Sequence, residues 1–180
     1  VKVEDHFKIE RILDAADMKS LLEYFDSADV EEYHQNYNLF DVIYQRVPSK
    51  HPVLSKLIKY AGMSLKASYM LKYEEGSFAR AHQDDDSDLT IVTILETKDL
   101  VGGESLCFLP YAKRPRVKLA KRNKRETKKP PYGDKIIPYI IDCEDGDSLV
   151  YNRSLKHSVS LVESGYRKVL ITWFNKRGNQ

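Results

Sequence analysis

The sequence predicts an α+β chain that is mainly β, with two helices ahead of a sandwich or barrel of seven or more strands. Three observations carry this reading. Helical periodicity stops at Gly62, apolar spacing drops to two from residue 65 onward, and twelve tyrosines suit a pleated, half-buried surface.

Taken in order, Asp14 can cap a helix in which Met18, Leu21, Leu22 and Phe25 follow the i, i+3, i+4, i+7 stripe. A second helix runs from about Pro52 to Ala61. Val53, Leu54, Leu57, Ile58 and Ala61 lie on one side of it, and Gly62 supplies the stop. Strands are expected at "LKASYMLKY" (65–73), "LTIVTIL" (89–95), "ESLCFL" (104–109), "KIIPYIID" (135–142), "DSLVYN" (147–152), "HSVSLV" (157–162) and "YRKVLITWF" (166–174). Gly, Asp, Ser or Pro bounds each of them. At 180 residues the chain is expected to form one domain, with a helical support over 1–64 and a β core over 65–177.

Net charge is +2, but the charge is unevenly placed. Residues 113–129, "KRPRVKLAKRNKRETKK", hold ten Lys/Arg against one Glu, so the rest of the chain is acidic. This segment reads as part of a long loop inserted at about 111–134 between two strands. Such an arm would draw in an acidic partner: nucleic acid, an acidic polypeptide or a ribonucleoprotein surface. Cys107 and Cys143 make no disulfide framework and fit a reducing compartment. The first ten residues are charged, which argues against a signal peptide, and no apolar run is long enough to span a membrane. A soluble cytoplasmic protein is expected.

The chemistry starts at "ARAHQDDDSD" (79–88). Residues i and i+2 of an extended segment project to the same side, so His82 and Asp84 can share one ion. Alone, His-x-Asp is a weak signal, and a solvated acidic turn is the stronger reading of it. Asp85, Asp86 and Asp88 read as solvated turn residues, and His6, His34 and His51 as surface residues. His157 stands apart. The stretch "RSLKHSVSLVESGYRKVLITWF" reads as a hairpin closed by Glu163-Ser164-Gly165, with Val162 opposite Tyr166 and Leu161 opposite Arg167. His157, Val159, Leu161, Arg167, Val169, Ile171 and Trp173 then share an inward, mostly apolar face.

A buried arginine needs an anionic partner. In this register His157 and the residue opposite Arg167 lie roughly 13–14 Å apart at strand rise, room for a small dicarboxylate between a metal and the guanidinium. Two His and one carboxylate with open positions form the facial triad of non-haem Fe(II) oxygenases. Structural zinc favours Cys-rich sets, and neither Cys here sits in a ligand-like cluster.

The sequence at this point resembles the 2-oxoglutarate/Fe(II)-dependent dioxygenases, in their prolyl 4-hydroxylase-like branch. The resemblance covers about residues 65–177 outside the basic insert. It runs through "YEEGSFARAHQDDD", "GGESLCFLP", "DGDSLVYN" and "HSVSLVESGYRKVLITWFNKRG", in the family's order. It implies a double-stranded β-helix (jelly-roll) core with N-terminal helices packed outside. It also implies His82, Asp84 and His157 as iron ligands, with Arg167 binding the distal carboxylate of 2-oxoglutarate. Tyr73 matches a tyrosine that often contacts this cosubstrate, and Trp173 an aromatic near the end of the last major strand. Where relatives often carry a second tyrosine, before Gly102-Gly103, this chain has Leu95.

The implied activity uses O2 and 2-oxoglutarate, yields succinate and CO2, and hydroxylates a C–H bond, with ascorbate as a possible helper. The carboxylate of Asp84 favours hydroxylation over halogenation, because halogenating relatives lack it. The expected substrate is a protein or peptide, hydroxylated at proline. The basic segment raises nucleic acid as an alternative substrate, although demethylases of that kind usually carry a second Arg six residues after the first, where Trp173 stands here.

Overall fold

Ser64 opens a strand of nineteen residues, the longest element described, and the rest of the sheet is organised by its two halves. The computed structural model describes residues 6–27, 32–34, 38–110 and 136–176. In chain order the elements are β1 (Phe7–Glu10), α1 (Ala15–Asp26), β2 (Glu32–His34), β3 (Leu39–Arg46), α2 (Pro52–Ala61), β4 (Ser64–His82) and β5 (Leu89–Gly102). They continue with β6 (Ser105–Pro110), β7 (Ile136–Ile141), β8 (Ser148–Asn152), β9 (Lys156–Val159) and β10 (Val162–Asn175). The basic insert lies outside the described residues. No described helix is long and apolar enough to cross a membrane.

The strands form one curled antiparallel sheet in the order β1-β8-β5-β10-β4-β9-β6-β7, with β3 also on β4 and β2 on β3. The first half of β4 pairs with β10, from Leu65 opposite Phe174 to Tyr73 opposite Arg167. Residues 74–77 then leave the ladder. The Glu74 N–H donates to Ser77 Oγ (2.9 Å), whose hydroxyl donates to the Asp41 carbonyl (2.6 Å). Beyond this excursion β4 pairs with β9, at Ala79–Val159 and His82–His157. One strand thus serves both halves of a jelly-roll-like body.

Both helices end for local reasons. Asp14 and Asp17 form a reciprocal capping box at the start of α1. Gly62 closes α2 at φ +62°, a left-handed position that suits glycine. Leu21, Leu54 and Leu57 from the helices join Met70, Leu170 and Phe174 from the sheet in one buried cluster. On the other face of β10, Val169 and Ile171 pack with Val42, Leu71 and Tyr73. The two-residue period therefore divides β10 between a helix-covered core and an interior cavity.

Three expectations are corrected. The region before residue 64 is not simply helical, since β1 pairs with β8 and β3 with β4. These strands are short or interrupted by charge, which hid their alternation. The strand expected at 65–73 continues to His82. The hairpin at 163–165 does not form: β9 pairs with β4 and β6, whereas β10 runs unbroken from Val162 and pairs with β4 and β5. Gly165 sits in β10 opposite a bulge in β5, where Asp99 and Leu100 stand against this one residue, and not in a turn. At φ +73° it lies so close to the Lys98 and Asp99 carbonyls that a Cβ would collide with both. The face assignment survives because side-chain parity does not depend on the partner strand, except at Leu161, which is 51% exposed.

Candidate active site

His82 ends β4, and the chain then turns through Asp84 into β5. Because His157 of β9 is the direct cross-strand partner of His82, it meets the His82–Asp84 pair although it lies 75 residues further along the chain. One ligand atom from each of His82, Asp84 and His157 falls within a 4.8 Å set. His82 Nε2 lies 3.8 Å from Asp84 Oδ1, and His157 Nε2 lies 3.9 Å from Asp84 Oδ2. Asp84 is only 7% exposed.

Backbone carbonyls fix both imidazoles. His82 Nδ1 sits 2.6 Å from the Arg80 oxygen, and His157 Nδ1 sits 3.1 Å from the Leu155 oxygen. A carbonyl can only accept, so each Nδ1 carries a proton and each Nε2 is the ring atom turned toward Asp84. Burial first, and then the nearby His82, pushes the His157 pKa down and so favours the neutral form that can bind metal. The Tyr151 hydroxyl lies 3.1 Å from His157 Nε2, to which it can donate. Burial beside Asp84 raises the Tyr151 pKa well above the ordinary phenol value.

Arg167 opens onto the same cavity, which has a volume of about 610 Å³. It is 4% exposed, and among the described residues no carboxylate pairs with it. Nη1 donates to the Gly103 carbonyl (2.5 Å), and Nη1 and Nη2 each lie 3.2 Å from Ser105 Oγ. Nε is buried with no partner. Burial lowers the Arg167 pKa. The guanidinium is therefore desolvated and lacks an anion among the described residues. Tyr73 stands opposite it across the ladder, its ring centroid 5.8 Å from the guanidinium carbon. Burial pushes the Tyr73 phenol up to about 12, so it stays protonated and can donate.

His82, Asp84, His157, Arg167, Tyr73 and Trp173 all line this one cavity. Leu95 does not; it is buried in the helix-side core. Asp85 and Asp86 are exposed at the cavity's edge, and Asp86 is ion-paired with Lys66. Asp88 departs from the solvated reading, since its carboxylate accepts from the Lys176 N–H at 2.9 Å. His51 departs too: its ring packs edge-on against Tyr24 at 5.4 Å, and burial lowers its pKa. Sequence reasoning missed Ser105, Tyr151 and Thr90. Thr90 is fully buried and donates to Asp84 Oδ2 at 2.7 Å. Strand alternation marks their faces, but only the sheet order reveals what they meet.

Solved structures share this arrangement of strands. A prolyl-4-hydroxylase from Pseudomonas putida matches with TM-score 0.64 over 98% of this chain and 96% of its own, at 16% identity. The fold is that of the 2-oxoglutarate/Fe(II) oxygenases. A viral collagen prolyl hydroxylase from Paramecium bursaria Chlorella virus-1, in complex with 2-oxoglutarate, matches with TM-score 0.62. It is 15% identical, over 98% of this chain and all (100%) of its own. HygX from Streptomyces hygroscopicus, with nickel and 2-oxoglutarate bound, matches with TM-score 0.64 at 13% identity, over 96% of this chain and 84% of its own. No protein-family model and no curated protein matches the sequence. The likeness to this oxygenase fold is therefore one of architecture.

Proposed function

We propose that this chain is an Fe(II)- and 2-oxoglutarate-dependent oxygenase that hydroxylates a C–H bond, with a peptidyl proline as the substrate. One observation carries the reading. Two imidazoles held at Nδ1 by backbone carbonyls and a buried carboxylate face the same cavity as a desolvated arginine that has no carboxylate partner among the described residues. The donor set fits a non-haem Fe(II) centre, and the arginine fits the distal carboxylate of the cosubstrate.

In this reading His82, Asp84 and His157 hold the iron. Their Nδ1–carbonyl hydrogen bonds keep both rings aimed and in the right tautomer. When bound, the iron supplies oxidation by O2 coupled to decarboxylation of 2-oxoglutarate to succinate and CO2. Arg167, Ser105 and the Tyr73 hydroxyl seat the distal carboxylate, with Ser105 supplying a hydroxyl that Leu95 lacks. Apolar Val169, Ile171 and Leu149 line the cavity and keep water from the reacting centre. The whole of 1–180 is read as one catalytic domain with an insert at about 111–134.

A peptide substrate is supported by the prolyl hydroxylases among the structures of this fold. A nucleic-acid or other acidic partner is the second reading, supported by the ten Lys/Arg of residues 113–129. The test is succinate formation with Fe(II), 2-oxoglutarate and ascorbate, followed by mass spectrometry of proline-containing peptides and of oligonucleotides. A gain of one oxygen on peptides supports the first reading, and oxygenation of oligonucleotides alone supports the second. Absence of succinate with every substrate, and without any, would overturn both.

A further inference from the structure

We propose that Thr90 is a positioning residue that fixes the orientation of the Asp84 carboxylate toward the metal. This rests on the metal-site reading above and deepens it. Asp84 lies in the connection after β4, where a carboxylate with a free χ2 would be held only loosely. Its neighbours show the alternative, since Asp85 and Asp86 are exposed. Asp84 is instead clamped. The Thr90 hydroxyl donates to Oδ2 at 2.7 Å, a short charge-assisted bond, and the Ser87 N–H donates to the Asp84 carbonyl at 3.1 Å to close the turn.

Thr90 is suited to this task. Its side chain is fully buried, with Tyr151 and Trp173 as its cross-strand partners on either side in β8 and β10. Branching at Cβ leaves it few rotamers. A threonine hydroxyl has one proton, and Asp84 takes it. The Ser87 hydroxyl, 3.3 Å from both Thr90 Oγ1 and the Asp84 carbonyl, must therefore donate in any bond it makes with Thr90. The carboxylate plane is thereby set so that one oxygen faces each imidazole, Oδ1 toward His82 and Oδ2 toward His157. Valine has the same shape without the hydroxyl. It would leave a buried carboxylate oxygen without the Thr90 donor and less tightly oriented.

The test uses Co(II) binding to the full chain, read by the visible absorption of the bound ion and by titration. Thr90→Val should weaken Co(II) affinity about 10- to 100-fold and alter the absorption band, as loss of a partner that orients a ligand does. Thr90→Ser keeps the hydroxyl and should restore both. Equal affinity and spectrum in wild type and Thr90→Val would overturn the proposal, as would Thr90→Ser behaving like Thr90→Val. If Thr90→Val does not fold without metal, Thr90→Ala gives the same readout. Failure of both to fold counts against the proposal, because Thr90 is then a core residue. Wild type that takes up no Co(II) sinks the metal-site reading itself, an outcome distinct from a variant that binds as well as wild type.

Discussion

His82 and His157 are direct partners across β4 and β9, their ring centroids 4.3 Å apart, although 75 positions separate them in the chain. Asp84 completes the set two residues past His82. Replacing any of the three with alanine should abolish turnover and Co(II) uptake while leaving circular dichroism near wild type. Asp85→Ala should change little, because that side chain is exposed. Activity in Asp84→Ala together with a dead Asp85→Ala would show the ligand set to be wrong.

Arg167 should act on the cosubstrate and not on the prime substrate. Its guanidinium is buried, has no carboxylate partner among the described residues and faces Ser105 and Tyr73. Arg167→Ala removes a charge-assisted pair and should cost about 2–5 kcal/mol in 2-oxoglutarate binding. Tyr73→Phe removes one hydroxyl and should cost about 0.5–1.5 kcal/mol. The measurement is the concentration of each substrate needed for half-maximal turnover. A larger rise for the prime substrate than for 2-oxoglutarate in Arg167→Ala would refute the assignment.

What the sequence made legible follows from the range of each signal. α2 was readable because its apolar spacing and its Gly62 stop are local, and both lie where expected. The shared face of Arg167, Val169, Ile171 and Trp173 was readable because alternation depends only on parity. The partner of that face was not: a glycine after two polar residues reads the same in a hairpin and opposite a bulge. Only the competition for β4 and β5 decides between them, and that involves residues 65–102. Thr90, Ser105 and Tyr151 were missed for the same reason. Each looks like an ordinary strand residue until the roll closes.

Gly165 offers a direct test of the bulge. Its φ of +73° is costly for any L residue, and a Cβ there would meet two carbonyls of β5. Gly76 provides the comparison, since its φ is +89° but nothing lies within 4 Å of where its Cβ would be. Gly76→Ala should cost only backbone strain, about 1–3 kcal/mol. Gly165→Ala should cost clearly more, read as a lower denaturation midpoint at unchanged m value. Equal effects at the two positions would mean that β5 does not approach Gly165 as closely as this fold requires.

The last prediction concerns residues 113–129, whose composition sets them apart from the acidic remainder of the chain. A plain solvated loop would give the same composition, so the test has to separate attraction from mere solubility. The segment is tied at both ends to strands of the body that holds the cavity, β6 before it and β7 after it. Ten cations so tethered raise the local concentration of an acidic partner at low salt and lose that effect as salt screens them. They need take no part in the chemistry. Deleting 114–128 should therefore leave 2-oxoglutarate turnover without prime substrate nearly unchanged, yet weaken capture of an acidic substrate. The difference from wild type should shrink as ionic strength rises. A truncated enzyme that modifies its substrate at wild-type efficiency in low salt would reduce the segment to a solvated loop.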